Sequence, residues 1–293
     1  MTSDNEVNTK ITDDILKGKY THLRRILSGY GHVAIAFSGG VDSTLLLQAA
    51  RDALGDRAVA VTVVSHSFPE REYQETVDFC RERGIRQLVC KVNELEIEGF
   101  AQNPPERCYL CKRNFFQKIQ ELAGEQGIGV VAEGSNLDDL GDYRPGMRAI
   151  AELGIVSPLR EAGLDKAQIR ALARDLGLSA WDKPAYACLA TRIPYGEEIT
   201  AEKLSMVEQA EELLGSVGFR QRRVRIHGRS ARIELLTDDF ARITGNDLRE
   251  QIVKRFEELG FDYVALDLKG YRTGSMNTGL NRDLIQENMR IND

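Results

Sequence analysis

No apolar run in the chain is long enough to cross a bilayer, and Met1 to Lys10 lack the apolar core of a secretory signal. A membrane-embedded or exported protein is therefore not expected, and the expected compartment is the cytoplasm. Positive charge is in short supply as well. The 39 Lys and Arg against 45 Asp and Glu leave a formal net charge of −6, without the basic imprint of a nucleic-acid-binding protein, so no nucleic-acid partner is expected. There is no internal repeat and no low-complexity tract. Five cysteines without an export signal are expected as ligands, nucleophiles or core residues rather than disulfide partners. What is present is the composition of a soluble globular protein, 42% apolar and 29% charged, in 293 residues that leave room for two domains.

After a polar helical lead-in around Ile11 to Gly29, short apolar runs alternate with helical periods. His32 to Phe37, Ala58 to Val64, Gln87 to Val92, Val130 to Ala132 and Ile155 to Leu159 read as strands. Helices are expected from about Asp42, over Glu70 to Arg83, over Lys112 to Ala123, and across Ile169, Leu172, Ala173 and Leu176. This alternation predicts an α/β fold, a doubly wound parallel sheet whose ligands sit beyond the carboxyl ends of the strands. The pattern changes after Pro194. A helix over Ala201 to Leu214, strands at Arg223 to His227 and Ala231 to Leu236, a helix over Asn246 to Leu259 and a strand at Tyr263 to Leu268 predict a smaller C-terminal α+β domain. The boundary is expected between residues 190 and 200.

The strongest chemical signal is Ser38-Gly39-Gly40-Val41-Asp42-Ser43, where a strand meets a helix. Free backbone N–H groups and the positive end of the helix converge there, and the glycines let the backbone approach phosphate oxygens. Ser38 and Ser43 add hydroxyl donors. Asp42 is an unusual residue for an anion site; it either orients the loop or binds Mg²⁺ carried by the phosphates. The string is not a Walker A loop, since no Gly-Lys-Ser/Thr follows, and it lacks the third glycine of the dinucleotide fingerprint. It is that of the PP-loop ATP pyrophosphatases. That resemblance implies an adenine nucleotide alpha hydrolase-like fold and cleavage between the α and β phosphates of ATP, with AMP passed to a substrate oxygen.

Cys108-Tyr109-Leu110-Cys111 lies between a Pro-Pro loop and a helix and is followed by Lys112 and Arg113, a setting that predicts depressed thiol pKa values. A lone Cys-x-x-Cys is compatible with half a zinc site, a redox pair or chance. No histidine lies near it, which disfavours zinc. Cys188 follows in Pro184 to Arg192, with Arg192 a source of positive charge. Three thiolates from two segments suit a [4Fe–4S] cluster with one iron left open, able to carry an exchangeable sulfide. Cys80 and Cys90 are expected in the core.

Taken with Glu133 to Asp139, Asp142 to Gly146, Asp182 to Arg192, Arg223 to Gly228, Ala231 to Glu234 and Gly270 to Ser275, these motifs make the chain resemble the LarE family. Its members are ATP-dependent sulfur transferases that help build the nickel-pincer nucleotide cofactor of lactate racemase. The resemblance implies that a carboxylate of pyridinium-3,5-biscarboxylic acid mononucleotide attacks the α-phosphate of ATP, and that sulfur then displaces AMP to leave a thiocarboxylate. Members with a single cysteine at the position of Cys188 give up their own sulfur. This chain adds Cys108 and Cys111, which places it with the three-cysteine, iron–sulfur members and implies a reloadable sulfur source.

On this reading ATP, Mg²⁺ and a [4Fe–4S] cluster are the cofactors. Residues 1–190 form the PP-loop domain, and residues 191–293 bind substrate and assemble a homo-oligomer. Arg223 and Arg225 alternate on one strand face and are candidates to meet a phosphate or carboxylate. Glu211, Glu212 and Asp138 are candidate Mg²⁺ or substrate contacts, and Arg144 is a candidate nucleotide contact. Two other readings are a PP-loop tRNA thiolase, disfavoured by the acidic total, and a non-catalytic ATP-binding module, which has no use for Asp42 or the three cysteines.

Overall fold

The computed structural model describes residues 13–141, 145–184, 187–272 and 274–276. Helix α1 (Asp14–Gly29) starts where the Asp13 carboxylate accepts the amides of Ile15 and Leu16 at 2.8 and 3.2 Å, partners for donors that a helix start leaves open. Strand β1 (Val33–Ala36), helix α2 (Val41–Leu54), β2 (Ala58–Val64), α3 (Glu70–Glu82), β3 (Arg86–Lys91), α4 (Arg107–Glu125) and β4 (Val130–Ala132) follow in alternation. The strands lie in the order β3-β2-β1-β4, every pair parallel. The chain thus builds outward from β1 in one direction and then returns to its other side. The carboxyl end of β1 is the switch point where such sheets form their ligand crevice.

Both sheet faces are covered, which is why β1 reads as an unbroken apolar run: Val33, Ala34 and Ile35 are fully buried. Leu45, Leu46 and Ala49 of α2 pack on one face with Leu23 and Leu27 of α1, while Phe116, Ile119 and Ala123 of α4 pack on the other. Each large aliphatic side chain so buried contributes about 1.5–3 kcal/mol. Helices α5 (Gly146–Glu152), α6 (Pro158–Glu161) and α7 (Lys166–Asp175) complete this layer.

The fifth strand expected at Ile155 to Leu159 does not form. Only Val156 bridges to Ala132, and α6 begins at Pro158. Proline has no N–H to give a sheet, and its fixed φ suits the first position of a helix. Helix α4 starts five residues earlier than expected, at Arg107 rather than Lys112, so Cys108 and Cys111 lie within its first turns.

The second unit contains α8 (Ala201–Ser216), β5 (Arg222–His227), β6 (Ser230–Leu235), α9 (Phe240–Ile243), α10 (Asn246–Glu258) and β7 (Tyr263–Leu266). Its sheet runs β5-β6-β7, antiparallel then parallel. Val224, Ile226 and Ile233 face Val207, Phe219 and Phe256 in a separate core. Phe100, Leu189, Ala190 and Ile193 also enter that core, so it grips the chain immediately after Cys188. Among the described residues no helix is long and apolar enough to cross a membrane.

Candidate functional site

The phosphate turn leaves β1 and enters α2 through Gly39, whose φ of +71° only glycine adopts freely. A Cβ there would come within 3.1 Å of the Thr76 methyl. Gly40 caps α2 without a side-chain bond, which leaves the amides of the first turn available to an anion. Ser43 closes the turn: its hydroxyl donates to the Gly40 carbonyl at 3.1 Å and accepts the Ser38 amide at 3.3 Å.

A second glycine proves as important. A Cβ on Gly134 would stand 3.0 Å from the Ser43 amide nitrogen and 3.2 Å from Asp42 Cβ. The Glu133-Gly134-Ser135-Asn136 turn after β4 therefore closes directly onto the start of α2. Glu133 holds it by accepting from the Ser135 amide and hydroxyl at 3.0 and 2.8 Å.

Asp42 does not point away from this frame. Its carboxylate is paired with the Lys166 ammonium and accepts from Asn136 Nδ2 at 3.2 Å. Of the two roles open to it, orienting the loop is visible in these contacts. Asp138 accepts the Lys166 amide at 3.0 Å, and Glu212 is exposed on α8. Arg144 lies outside the described residues.

The three thiols come from α4 and from the stretch after Lys183, and they meet beyond the carboxyl end of β2. Leu189 donates its amide to the Ser67 carbonyl at 3.0 Å. Ser67 and His66 in turn donate their amides to the fully buried Glu94 at 2.6 and 3.1 Å. Arg107, 1% exposed, joins the two cysteine segments. It donates to Asn103 Oδ1 at 2.5 Å and to the Ala190 carbonyl at 3.0 Å, with Nη2 3.9 Å from Cys108 Sγ. Asn103, held at a φ of 55°, passes the link on to the carbonyls of Ile193 and Pro194 at 3.1 and 2.6 Å.

The depressed thiol pKa expected for Cys111 from a helix start and cationic neighbours is overturned. Burial pushes Cys111 well above the ordinary thiol range, and Cys188 and Cys108 add like-charge repulsion. Cys188 is solvent-exposed as a residue, yet the walls around its thiol desolvate it and push it up too, against the pull of Arg107 and Ser67. Arg107, bonded to the Ala190 carbonyl and 3.9 Å from Cys108 Sγ, brings the start of α4 to the segment that follows Cys188. Cys80 is buried in the first core, as expected, while Cys90 is only partly buried on β3.

Beside Thr191 and Arg192 lies a cavity of about 570 Å³, lined also by Arg225, His227, Arg232, Arg272 and, among acidic groups, Asp267. Arg223 and Arg225 share a face of β5, and both are buried rather than solvated. Arg225 is bidentate to Glu234 at 3.2 and 3.1 Å and donates to the Thr191 carbonyl at 2.7 Å. Arg223 stacks 5.4 Å from the Tyr271 ring centroid, and burial, reinforced by Arg192, pushes its pKa down to about 10.

Arg192 forms a buried bidentate pair with Glu211 at 2.7 and 2.9 Å and donates to the carbonyls of Ala187 and Cys188 at 3.0 and 3.3 Å. Glu211, expected as a candidate Mg²⁺ or substrate contact, is instead committed to this clamp. Burial pushes its carboxyl up, but Arg192, Arg223 and the Val224 amide together outweigh burial and hold it below the usual range.

Glu94, Asn103, Arg107, Lys166 and Lys183 were not singled out from the sequence. Asn103 ahead of a Pro-Pro pair was the one local signal available; the others act through contacts across the fold.

A PP-loop domain matches residues 12–142. An uncharacterized protein of Synechocystis is 41% identical over 268 residues, 92% of this chain and all of its own length. The pyridinium-3,5-bisthiocarboxylic acid mononucleotide synthase of Lactiplantibacillus plantarum is 37% identical over 270 residues, 91% of this chain and 96% of its own. An uncharacterized protein of Methanocaldococcus jannaschii is 31% identical over 241 residues, 82% of this chain and 91% of its own.

Proposed function

This chain belongs to the pyridinium-3,5-bisthiocarboxylic acid mononucleotide synthase family of PP-loop enzymes, and on that footing we propose that it transfers sulfur, at the expense of ATP, to pyridinium-3,5-biscarboxylic acid mononucleotide. A substrate carboxylate oxygen attacks the α-phosphorus, the bond to the bridging oxygen breaks, and pyrophosphate departs into the amides of Gly40 to Ser43. Sulfur then adds to the acyl carbon and AMP leaves with the original carboxylate oxygen, giving a thiocarboxylate.

The residues support these roles. Asp42 and Asp138, beside the phosphate turn, are the groups to share Mg²⁺ with ATP. Arg192, Arg225, Arg232 and Arg272 line the cavity and supply a cationic wall suited to a substrate that carries a phosphate and two carboxylates, with Arg223 buried on the same face of β5 as Arg225. Cys188, exposed and four residues before Arg192, is the sulfur-bearing residue of this reading. The observation that carries the reading is the Leu189-to-Ser67 hydrogen bond. It seats Cys188 beyond the end of β2, the strand next to the one that opens into the phosphate turn.

Cys108, Cys111 and Cys188 are the residues that would hold a [4Fe–4S] cluster, and three thiols in one neighbourhood fit that donor set with one iron left for sulfide. Among the described residues no three such side chains are close enough to bind a single ion, and a four-iron cluster spreads its thiolates wider than one ion does. When bound, it would supply the exchangeable sulfide that spares the cysteine.

Residues 1–190 are the proposed ATP domain and 191–293 the proposed substrate and oligomerisation domain, working in the cytoplasm. Edge strand β7, with Tyr263 72% exposed and Leu268 beyond it 83% exposed, is a surface suited to self-association. The test of the reading is nucleotide analysis: with the dicarboxylate substrate, Mg²⁺ and ATP, AMP and pyrophosphate should form together. ADP and phosphate would contradict it.

A further inference from the structure

The cavity beside Thr191 and Arg192 runs across the second sheet, and its charges are unevenly matched. Arg225 lies on β5, directly opposite Arg232 on β6 in the antiparallel register. Asp267, Lys269 and Arg272 follow β7, the far edge of the same sheet, and line the cavity too. From β5 to β7 is two strand spacings, about 10 Å. Thr191 joins the β5 end, where Arg225 donates to its carbonyl at 2.7 Å. The Thr191 amide in turn donates to the Cys188 carbonyl at 2.9 Å. One end of the cavity therefore meets the segment of the sulfur-bearing residue, and the other lies at β7.

At the β5 end each lining guanidinium has a buried carboxylate of its own. Arg192 is bidentate to Glu211, and Arg225 is bidentate to Glu234. At the β7 end Arg232, Lys269 and Arg272 share a single lining acid. Asp267 lies 2.7 Å from Arg232 and 3.9 Å from Arg272. Glu234 also reaches Arg232, at 3.3 Å, but Arg225 already holds both of its oxygens. Among the described residues the Lys269 ammonium makes no ion pair, and only its amide bonds to Asp267, at 2.9 Å. Arg232 Nε is buried with no acceptor among the described residues. Surplus positive charge and unused donors thus collect at the β7 end.

The backbone there is fixed. Gly270 takes a φ of +67°, and a Cβ on it would come within 2.9 Å of the Leu235 carbonyl oxygen. Tyr271 donates its amide to that same carbonyl at 2.7 Å. The turn that carries Lys269 and Arg272 is pressed onto the end of β6, so its backbone need not order on binding.

We propose that the β7 end is a phosphate-monoester subsite, where Arg232, Lys269 and Arg272 take the phosphate of the pyridinium nucleotide and direct a carboxylate to the Arg192 end. The inference rests on the substrate reading above and deepens it. A phosphate monoester brings close to two negative charges and three acceptor oxygens, against one charge and two oxygens for a carboxylate. It is the better match for three cations around one acid.

Calorimetry on the full-length chain compares pyridinium-3,5-biscarboxylic acid mononucleotide with the same nucleoside lacking its phosphate. The wild type should bind the mononucleotide at least about tenfold more tightly, the worth of one charge-assisted hydrogen bond. Lys269→Gln and Arg272→Gln should each weaken mononucleotide binding by about tenfold and leave nucleoside binding within about twofold. Both residues are exposed, so the variants should fold. Equal affinities for the two ligands in the wild type would overturn the inference. So would a gap undiminished in both variants, which would put the phosphate elsewhere. If the wild type binds neither ligand, the substrate reading fails and the inference with it. If the gap narrows in the variants but no sulfur enters the mononucleotide, the subsite stands and the sulfur-transfer reading fails.

Discussion

Lys166 places its ammonium on the carboxylate of Asp42, the second residue of helix α2, across 124 positions of sequence. An acid at a helix start is favoured by the helix dipole, but here it would repel ATP unless a cation shared it. Asp42→Asn should keep the fold, because the pair is partly solvated and worth about 1 kcal/mol or less. It should lower AMP formation by about 100-fold, the loss expected when a group stabilising transition-state charge is removed. Steady-state kinetics beside a melting curve checks this; a variant with near-normal turnover would remove Asp42 from the mechanism.

Gly134→Ala tests the second glycine. The added methyl meets the Ser43 amide nitrogen at 3.0 Å, and that backbone cannot yield without moving the phosphate turn. A stability loss of about 1–3 kcal/mol is expected, together with weaker ATP binding by calorimetry. Unchanged affinity would mean that the turn after β4 does not shape the nucleotide site.

The phosphate turn was legible in the sequence because its chemistry is local: six consecutive residues between a strand and a helix. The parallel order of the sheet was legible too, because burial on both faces leaves unbroken apolar runs. The strand expected at Ile155 to Leu159 was misread because that run is apolar for core packing, while Pro158 opens a helix. The thiol acidity was misread for a different reason. Helix starts and basic neighbours are visible in a sequence, but the desolvation of Cys111 and Cys188 arises only when α4 meets the stretch after Lys183. Lys183 and Lys166 carried no local mark, since their partners lie 144 and 124 residues away.

The Arg192–Glu211 clamp makes a prediction about acid stability. Glu211 has a carboxyl held below its ordinary range in the folded protein, so its pairing contributes stability above the unfolded carboxylate pKa of about 4.3. That contribution is lost as pH falls through the lower folded value. Glu211→Gln should cost about 3–5 kcal/mol at neutral pH, because it leaves Arg192 buried without its charge partner. It should also flatten the acid limb of the stability curve below pH 4, roughly. Denaturant midpoints measured across pH decide; an acid limb identical to the wild type would assign that limb elsewhere.

Cys188 and its partners should separate the two half-reactions. Cys188→Ala should still release AMP and pyrophosphate on hydrolysis of the acyl adenylate, yet yield no thiocarboxylate. Cys108→Ser and Cys111→Ser should each lower the iron and sulfide content of anaerobically prepared protein while leaving pyrophosphate release within about threefold. Full sulfur transfer by either serine variant would remove the cluster from the account and leave Cys188 to act alone.

The most direct measurement is the mass of the pyridinium nucleotide after incubation with the enzyme, Mg²⁺, ATP and a sulfide source. Replacement of a carboxylate oxygen by sulfur, dependent on ATP and lost in Cys188→Ala, is the predicted result. Recovery of the unaltered dicarboxylate while ATP is consumed to AMP would contradict the assignment of sulfur transfer to this site.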